Sequence, residues 1–308
     1  MGPGPHPGPA GDGPPCDGLP SQGKPEHKRP FKPRDMGIGT RMFFAILAGV
    51  ARPLMNVLIG KEWYGLDRLP QDEGFIVVPN HCTEIDPIVV GHMLYNQNVM
   101  PHFLAKDGLF KTPVLGAVLR GAHQIPVERS GAGAGTSLVK ARVVLGEGGA
   151  VVVYPEGTLT RDPELWPMKG RTGAARLALG TDAKVIPVVH WGAQEVFPRY
   201  AKGFKIFPRK KVRVVVGEPV DLSAFAGRSG DKATLEAMTG VIMDHITAML
   251  EELRGEVAPA QRWDPSAHRQ SAHGRFVERG AQAPNQEAPV AEENKKNDAG
   301  TTETGDLQ

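Results

Sequence analysis

The sequence predicts an α/β fold: a mostly parallel sheet flanked by helices, preceded by a short N-terminal membrane-associating helix pair. Three observations lead there. Short runs rich in β-branched residues alternate with helix-length stretches, the pattern of strands joined by crossover helices. An apolar segment near the N-terminus follows a cluster of cations and is interrupted by Arg52-Pro53. Gly/Pro-rich and polar sequence at the two ends leaves one central region able to build a core.

Residues 1–36 are dominated by glycine and proline and hold few large apolar side chains. Burial there cannot offset the entropy of ordering the chain. Residues 255–308 are polar again, with Trp263 and Phe276 isolated in a Glu-, Lys- and Asn-rich background. Both are expected to be disordered tails, one basic and one polar, around a single domain at 37–254.

The domain opens with the apolar run 42–51, then Arg52-Pro53, then the apolar run 54–59. A bilayer span takes about 20 mostly apolar residues, and an arginine at its centre costs about 2.5–3.5 kcal/mol. Arg52, Pro53 and Asn56 therefore divide the segment into two short helices, with proline in the first turn of the second. Lys24, Lys28, Arg29, Lys32, Arg34 and Arg41 lie just upstream. Cations beside apolar helices add about 1 kcal/mol each near anionic lipid, which predicts an interfacial anchor over residues 37–61. The alternative is a core helix pair behind a solvated basic linker.

Strands are predicted at 74–78, 99–104, 124–127, 150–154, 184–190 and 212–216, each a short apolar, β-branched run. Helices are predicted between them at 87–95, 113–119, 136–145 and 170–179. A last helix over 232–253 places Leu235, Met238, Ile242, Ile246, Met249 and Leu253 on one stripe.

Composition narrows the function classes. A net charge of +2 and a pI near 8.5 are too mild for a nucleic-acid footprint, and none is expected as a partner. Cys16 and Cys82 are the two cysteines, too few for a disulfide framework, which favours a reducing compartment. No apolar core precedes Met42, so no cleaved secretory signal is expected. No His/carboxylate cluster has ligand spacing, so no metal and no resident cofactor are expected.

The chemistry concentrates where the strand at 74–78 empties into Asn80-His81-Cys82-Thr83-Glu84-Ile85-Asp86-Pro87. An imidazole takes a proton near neutral pH, and a carboxylate can fix its tautomer and stabilise the imidazolium. Asp86 before Pro87 reads as an N-cap followed by proline at the first helical position. His102 and Asp107 share the His-x4-Asp spacing, but an extended strand between them should hold them apart. No serine or cysteine is placed to be activated, and Cys82 adjoins His81 too closely to pair with it as a nucleophile. The nucleophile is therefore expected on a substrate.

Asn80-His81-x4-Asp86-Pro87 resembles the first sequence block of the glycerolipid acyltransferases. Gly121 to Arg129, Val153 to Thr158 and Val185 to Val188 resemble the second, third and fourth blocks, in order, within about 110 residues. The resemblance is nearest to the 1-acylglycerol-3-phosphate O-acyltransferase branch and covers about residues 37–253, as one acyltransferase domain. It implies a fatty acyl thioester on coenzyme A or acyl carrier protein, attacked by the free hydroxyl of a lysolipid, lysophosphatidic acid above all. His81 would be the base and Asp86 its orienting partner, with no covalent acyl-enzyme. Asn80, Arg129, Glu156, Gly157 and Thr158 would contact substrate, Arg129 through the acceptor's phosphate. The family often carries arginine directly after the third-block threonine, where this chain has Leu159; Arg161 or Lys169 would then supply the charge. Another lysophospholipid, glycerol 3-phosphate, or a non-catalytic lipid-binding role are the alternatives. The implied setting is an anionic membrane surface at the cytoplasmic face of the cell membrane.

Overall fold

The computed structural model describes Met42, Ile46, Gly49 and residues 52–127, 133–268 and 270. Arg129, most of the first predicted anchor helix and both distal tails lie outside the described residues.

Phe75–Pro79 (β2) is buried at every position, so apolar layers must cover both of its faces. It lies between two other buried strands, Ala150–Val152 (β5) and Lys184–Trp191 (β6). The sheet is completed by Ile59–Tyr64 (β1), Pro101–Lys106 (β3), Ile125–Val127 (β4) and Lys210–Val216 (β7). Its order is β1-β7-β6-β2-β5-β3-β4, parallel throughout except for the antiparallel β6–β7 pair. The predicted α/β class with a mostly parallel sheet is the observed one.

Strand periodicity sorts the core into two layers. Ile76, Val78, Val151, Val185 and Val189 pack on one face, against Gly173–Leu179 (α6) and Lys232–Arg254 (α8). Phe75, Val77, Val152, Ile186 and Val188 pack on the other, where Asp86–Asn96 (α2) brings Val89, Val90 and Met93. Pro113–Gly121 (α4) and Gly133–Gly146 (α5) fill two further crossovers. Two single-turn helices, Asp107–Phe110 (α3) and Ala193–Val196 (α7), escape prediction because they are too short to show a period.

The last helix has both ends specified. Asp231 accepts the backbone N–H of Thr234 as a cap, and Gly255 closes the helix in the left-handed region at φ 68°. Just inside that end, the Arg254 guanidinium lies between the Trp166 and Trp191 rings, 3.8 and 4.2 Å from their centroids. This cation–π contact ties α8 to β6 and to the loop before α6.

Two boundaries move. The backbone is helical over 52–58 (α1), but the anchor predicted through residue 61 gives way at Ile59 to β1, which pairs with β7 from Ile59 opposite Lys210. Ile59 and Tyr64 are buried on opposite faces of the sheet, and Met55 of α1 is buried in the same layer as Ile59. The polar tail predicted from residue 255 begins as a placed strap: Trp263 accepts the N–H of Lys169, and Asp264 pairs with the Lys169 ammonium at 2.9 Å.

Ile246, fully buried on α8, is expected to carry a large share of this packing. Ile246→Ala should lower unfolding free energy by about 2–5 kcal/mol, whereas exposed Val257→Ala should change it by less than about 0.5 kcal/mol. Denaturant unfolding of the two variants checks the contrast.

Candidate active site

β2 ends at Pro79 in mid-sheet, so the next residues emerge where the loops after β2, β5 and β6 converge, at the carboxyl ends of parallel strands. Asn80 fastens this exit to β6. Its side-chain Nδ2 donates to His190 O at 3.1 Å, and its Oδ1 accepts from His190 N at 2.9 Å. The His190 ring answers with an Nε2 contact to Asn80 O at 3.1 Å. Asn80, expected as a substrate contact, is thus buried with its side-chain amide bonded to the β6 backbone.

His81 follows. Its Nδ1 lies 3.0 Å from Asp86 Oδ2, which also accepts the N–H of Cys82 at 2.7 Å and of Thr83 at 2.8 Å. An oxygen that accepts two amide protons is acting as a carboxylate, so His81 donates from Nδ1 and keeps its lone pair on Nε2. Nε2 has no partner among the described residues, and the side chain keeps 15 % exposure. Asp86 is the first residue of α2, with Pro87 next, and makes no cap bond to the helix after it. The predicted N-cap is replaced by a carboxylate turned back to close the loop before the helix.

The third block grips the same histidine by its backbone. Glu156 Oε1 accepts His81 N–H and Glu156 Oε2 accepts Met168 N–H, both at 3.0 Å, while Thr160 N–H donates to His81 O at 2.7 Å. Burial pushes the Glu156 carboxyl up to about 8, against lowering by those amide donors. Gly157 turns the chain at φ 69°, and a Cβ there would fall 2.6 Å from Arg171 Cδ. Thr158 is half-buried beside it, and Leu159 is buried, which suits an apolar side chain where the family often has arginine.

The two cations expected to replace that arginine differ in setting. Arg161 is buried. Lys169 is exposed but held by Asp264, whose carboxylate raises its proton affinity. The cation that the fold brings to Gly157 is Arg171, which local sequence gave no reason to single out. His102 and Asp107 are used separately: His102 Nδ1 meets His123 O, and Asp107 pairs with Lys111.

Two more residues enter unannounced. The Tyr154 ring stacks on His81 at 4.1 Å between centroids, with its hydroxyl buried and unpartnered among the described residues. His190 Nε2 lies 3.7 Å from Asp86 Oδ1, and burial lowers its proton affinity, so it sits neutral behind the pair. The available signal for His190 was a polar residue inside the apolar run Val188-Val189-His190-Trp191, which demands a buried partner.

Cys82, Asp86 and His190 place one donor atom each within 4.8 Å of one another. Burial, then the Asp86 charge, pushes the Cys82 thiol well up, and Asp86 Oδ2 already serves three donors. Among the described residues Asp86 Oδ1 keeps only longer contacts, to His190 Nε2 at 3.7 Å and Cys82 Sγ at 3.9 Å.

Comparison with known proteins agrees with this geometry. A family model described as Acyltransferase matches residues 61–191, which include Asn80, His81, Asp86, Glu156 and His190. Over that span the chain is similar to the acyltransferases. The 1-acyl-sn-glycerol-3-phosphate acyltransferase of Bacillus subtilis is 27 % identical over 211 residues, 68 % of this chain and 98 % of that one. A chloroplastic enzyme of the same name from Brassica napus is 29 % identical over 158 residues, 51 % of this chain and 44 % of its own length. An Arabidopsis thaliana N-acylphosphatidylethanolamine synthase is 25 % identical over 253 residues, 76 % of this chain and 86 % of that one. Among crystal structures, the 1-acyl-sn-glycerophosphate acyltransferase of Thermotoga maritima shares the fold, with a TM-score of 0.56 at 21 % identity over 74 % of this chain and 87 % of that one.

Glu156 gives a pH prediction with a definite sign. Its carboxyl titrates near 4.5 when unfolded and near 8 when folded, so the folded state holds the extra proton between those values. Stability from this group is present below about 4.5 and is lost as pH rises through about 8. Glu156→Gln removes the titration and sets an amide against Met168 N–H. The Tm advantage of wild type over the variant should shrink from pH 5 to pH 8, while kcat falls more than KM changes. A KM-only effect at unchanged Tm would assign Glu156 to substrate instead.

Proposed function

We propose that this acyltransferase moves a fatty acyl group from a thioester, on coenzyme A or acyl carrier protein, to the free hydroxyl of 1-acylglycerol 3-phosphate, giving phosphatidic acid. The observation that carries the reading is His81, fixed through Nδ1 by buried Asp86 and unpartnered at Nε2. An alcohol is almost fully protonated at neutral pH, so it needs a base at the moment of attack. Nε2 removes the hydroxyl proton as the oxygen attacks the thioester carbonyl; collapse of the adduct expels the thiolate, which takes a proton back. Asp86 holds the tautomer and stabilises the imidazolium between those steps.

Direct transfer fits the surroundings. Among the described residues no serine or threonine hydroxyl hydrogen-bonds His81, and the nearby Cys82 thiol is buried and pushed up. Arg129 remains the sequence-based choice for the acceptor phosphate, and Arg171 beside Gly157 joins it as a second cation. The names of the Bacillus and Brassica relatives favour lysophosphatidate as acceptor. The Arabidopsis synthase, matched over more of this chain, favours a second reading in which another phospholipid is acylated. Among the described residues no helix is long and apolar enough to cross a membrane. Peripheral attachment at the cytoplasmic face through α1 and its basic flank is the corresponding proposal.

Turnover of lysophosphatidate and an acyl thioester by the pure full-length protein tests this. His81→Ala should lower kcat by about 10²–10⁴-fold with Tm little changed. Undiminished turnover by the variant would remove His81 as the base. A panel of acceptors with one acyl donor separates lysophosphatidate from the second reading, and no turnover on any lysolipid would favour a binding protein.

A further inference from the structure

The segment between α7 and β7 has a composition that neither the sheet nor the His81 machinery accounts for. Between Glu195 and Glu218 the sequence has no acidic residue, and it interleaves Lys202, Lys205, Arg209 and Lys210 with Phe204, Ile206 and Phe207. Those three apolar side chains face solvent, with Phe207 92 % exposed. Phe197 packs against the core, Phe204 stands 4.8 Å from it, and Lys205 N–H donates to Val196 O. The base of the loop is therefore fastened, and its tip is held away from the protein. Lys202 and Lys205 form no ion pair among the described residues.

Its neighbours locate it. Thr83 of the His81 loop donates its hydroxyl to Phe197 O, and the Glu84 carboxylate accepts Tyr200 N–H at 3.1 Å. At the far end, Arg209 donates to Asn56 O and Ile59 O, where α1 passes into β1. The loop thus bridges the catalytic loop and α1, whose Leu54 and Val57 are also exposed. Apolar side chains on both sides of Arg209 and cations around them are the composition of a surface that enters anionic lipid.

We propose that Phe204, Ile206 and Phe207 insert into the bilayer while Lys202 and Lys205 meet anionic head groups, seating the His81 loop at the lipid surface beside α1. That a lipid acceptor gains from this seating rests on the function proposed above; the insertion itself does not. Cations alone would suit an acyl carrier protein or the phosphates of coenzyme A. Aromatic rings held out in water suit hydrocarbon, since each exposed phenylalanine stabilises association only when it is buried.

Partition of the full-length chain onto phosphatidylcholine vesicles, with and without phosphatidylglycerol, tests the surface without reference to catalysis. Phe204→Ser with Phe207→Ser should weaken partition about tenfold or more on both vesicles. Lys202→Glu with Lys205→Glu should abolish the gain that phosphatidylglycerol gives, about fivefold per cation. All these positions are exposed, so Tm should hold, and turnover of a short-chain, monomeric lysophosphatidate should stay near wild type. Partition within about twofold of wild type for both variants overturns the proposal. So does a raised KM for the acyl thioester at unchanged partition, which would make the loop a donor-docking site. A wild type inactive on every lysolipid, yet losing vesicle binding with the aromatic pair, would overturn the enzymatic reading and leave the insertion standing.

Discussion

One carboxylate oxygen organises this site: Asp86 Oδ2 receives the Cys82 and Thr83 amides and the His81 ring at once. Burying an anion is costly unless its lone pairs are filled, and here backbone donors supply most of the filling. Because two of those donors precede Asp86 by three and four residues, satisfying the charge also fixes the loop's shape. Removing the carboxylate would free the histidine tautomer and unlatch the loop together. The groups behind it keep the charge single. His190 is neutral, Cys82 stays a thiol, and Glu156 is pushed up to about 8, by burial first and Asp86 last among its causes.

The sheet supplies the rigidity that such a loop lacks by itself. β2 is locked in register on both sides, Phe75 opposite Ala150 and Lys184. Asn80 and His190 then clasp the ends of the central strands β2 and β6 with three hydrogen bonds, immediately before His81. Glu156 and Thr160 hold the two backbone groups of His81 from the end of β5. Asn80 and Glu156, expected from the sequence as substrate contacts, are bonded to the backbone on either side of this exit, Asn80 to His190 and Glu156 to His81.

What the sequence disclosed follows from how local each signal is. Apolar runs at strand length and the α8 stripe encode their own periods, so the sheet and its last helix could be read directly. The His81–Asp86 contact spans five residues and was legible for the same reason. Asn80–His190 spans 110 residues and Glu156–His81 spans 75, and no local pattern marks which distant backbone a polar side chain will meet. Ile59–Tyr64 was masked by the apolar helix before it, since a short apolar run fits helix or edge strand alike. Arg171 emerged beside Gly157 only once the loop after β5 had folded back, with Arg171 N–H donating to Pro155 O.

Under the transfer proposed above, a base that activates an acceptor hydroxyl faces a standing competitor in water, which would turn transfer into thioester hydrolysis. Nothing about His81 Nε2 distinguishes one hydroxyl from another, so selectivity must come from what reaches it. Stacking on Tyr154 shields one face of the ring, and Thr83 of the same loop donates its hydroxyl to Phe197 O, at the base of the segment that carries Phe204 and Phe207. If that segment enters lipid, it carries the His81 loop bonded to it towards a head-group layer rich in acceptor and depleted of free water, and expelling water strengthens every charge–dipole contact around Asp86. Hydrolysis should then rise relative to transfer when Phe204 and Phe207 become serine. Comparing free fatty acid with diacyl product on the same vesicles measures that ratio, and an unchanged ratio would place the exclusion of water within the pocket itself.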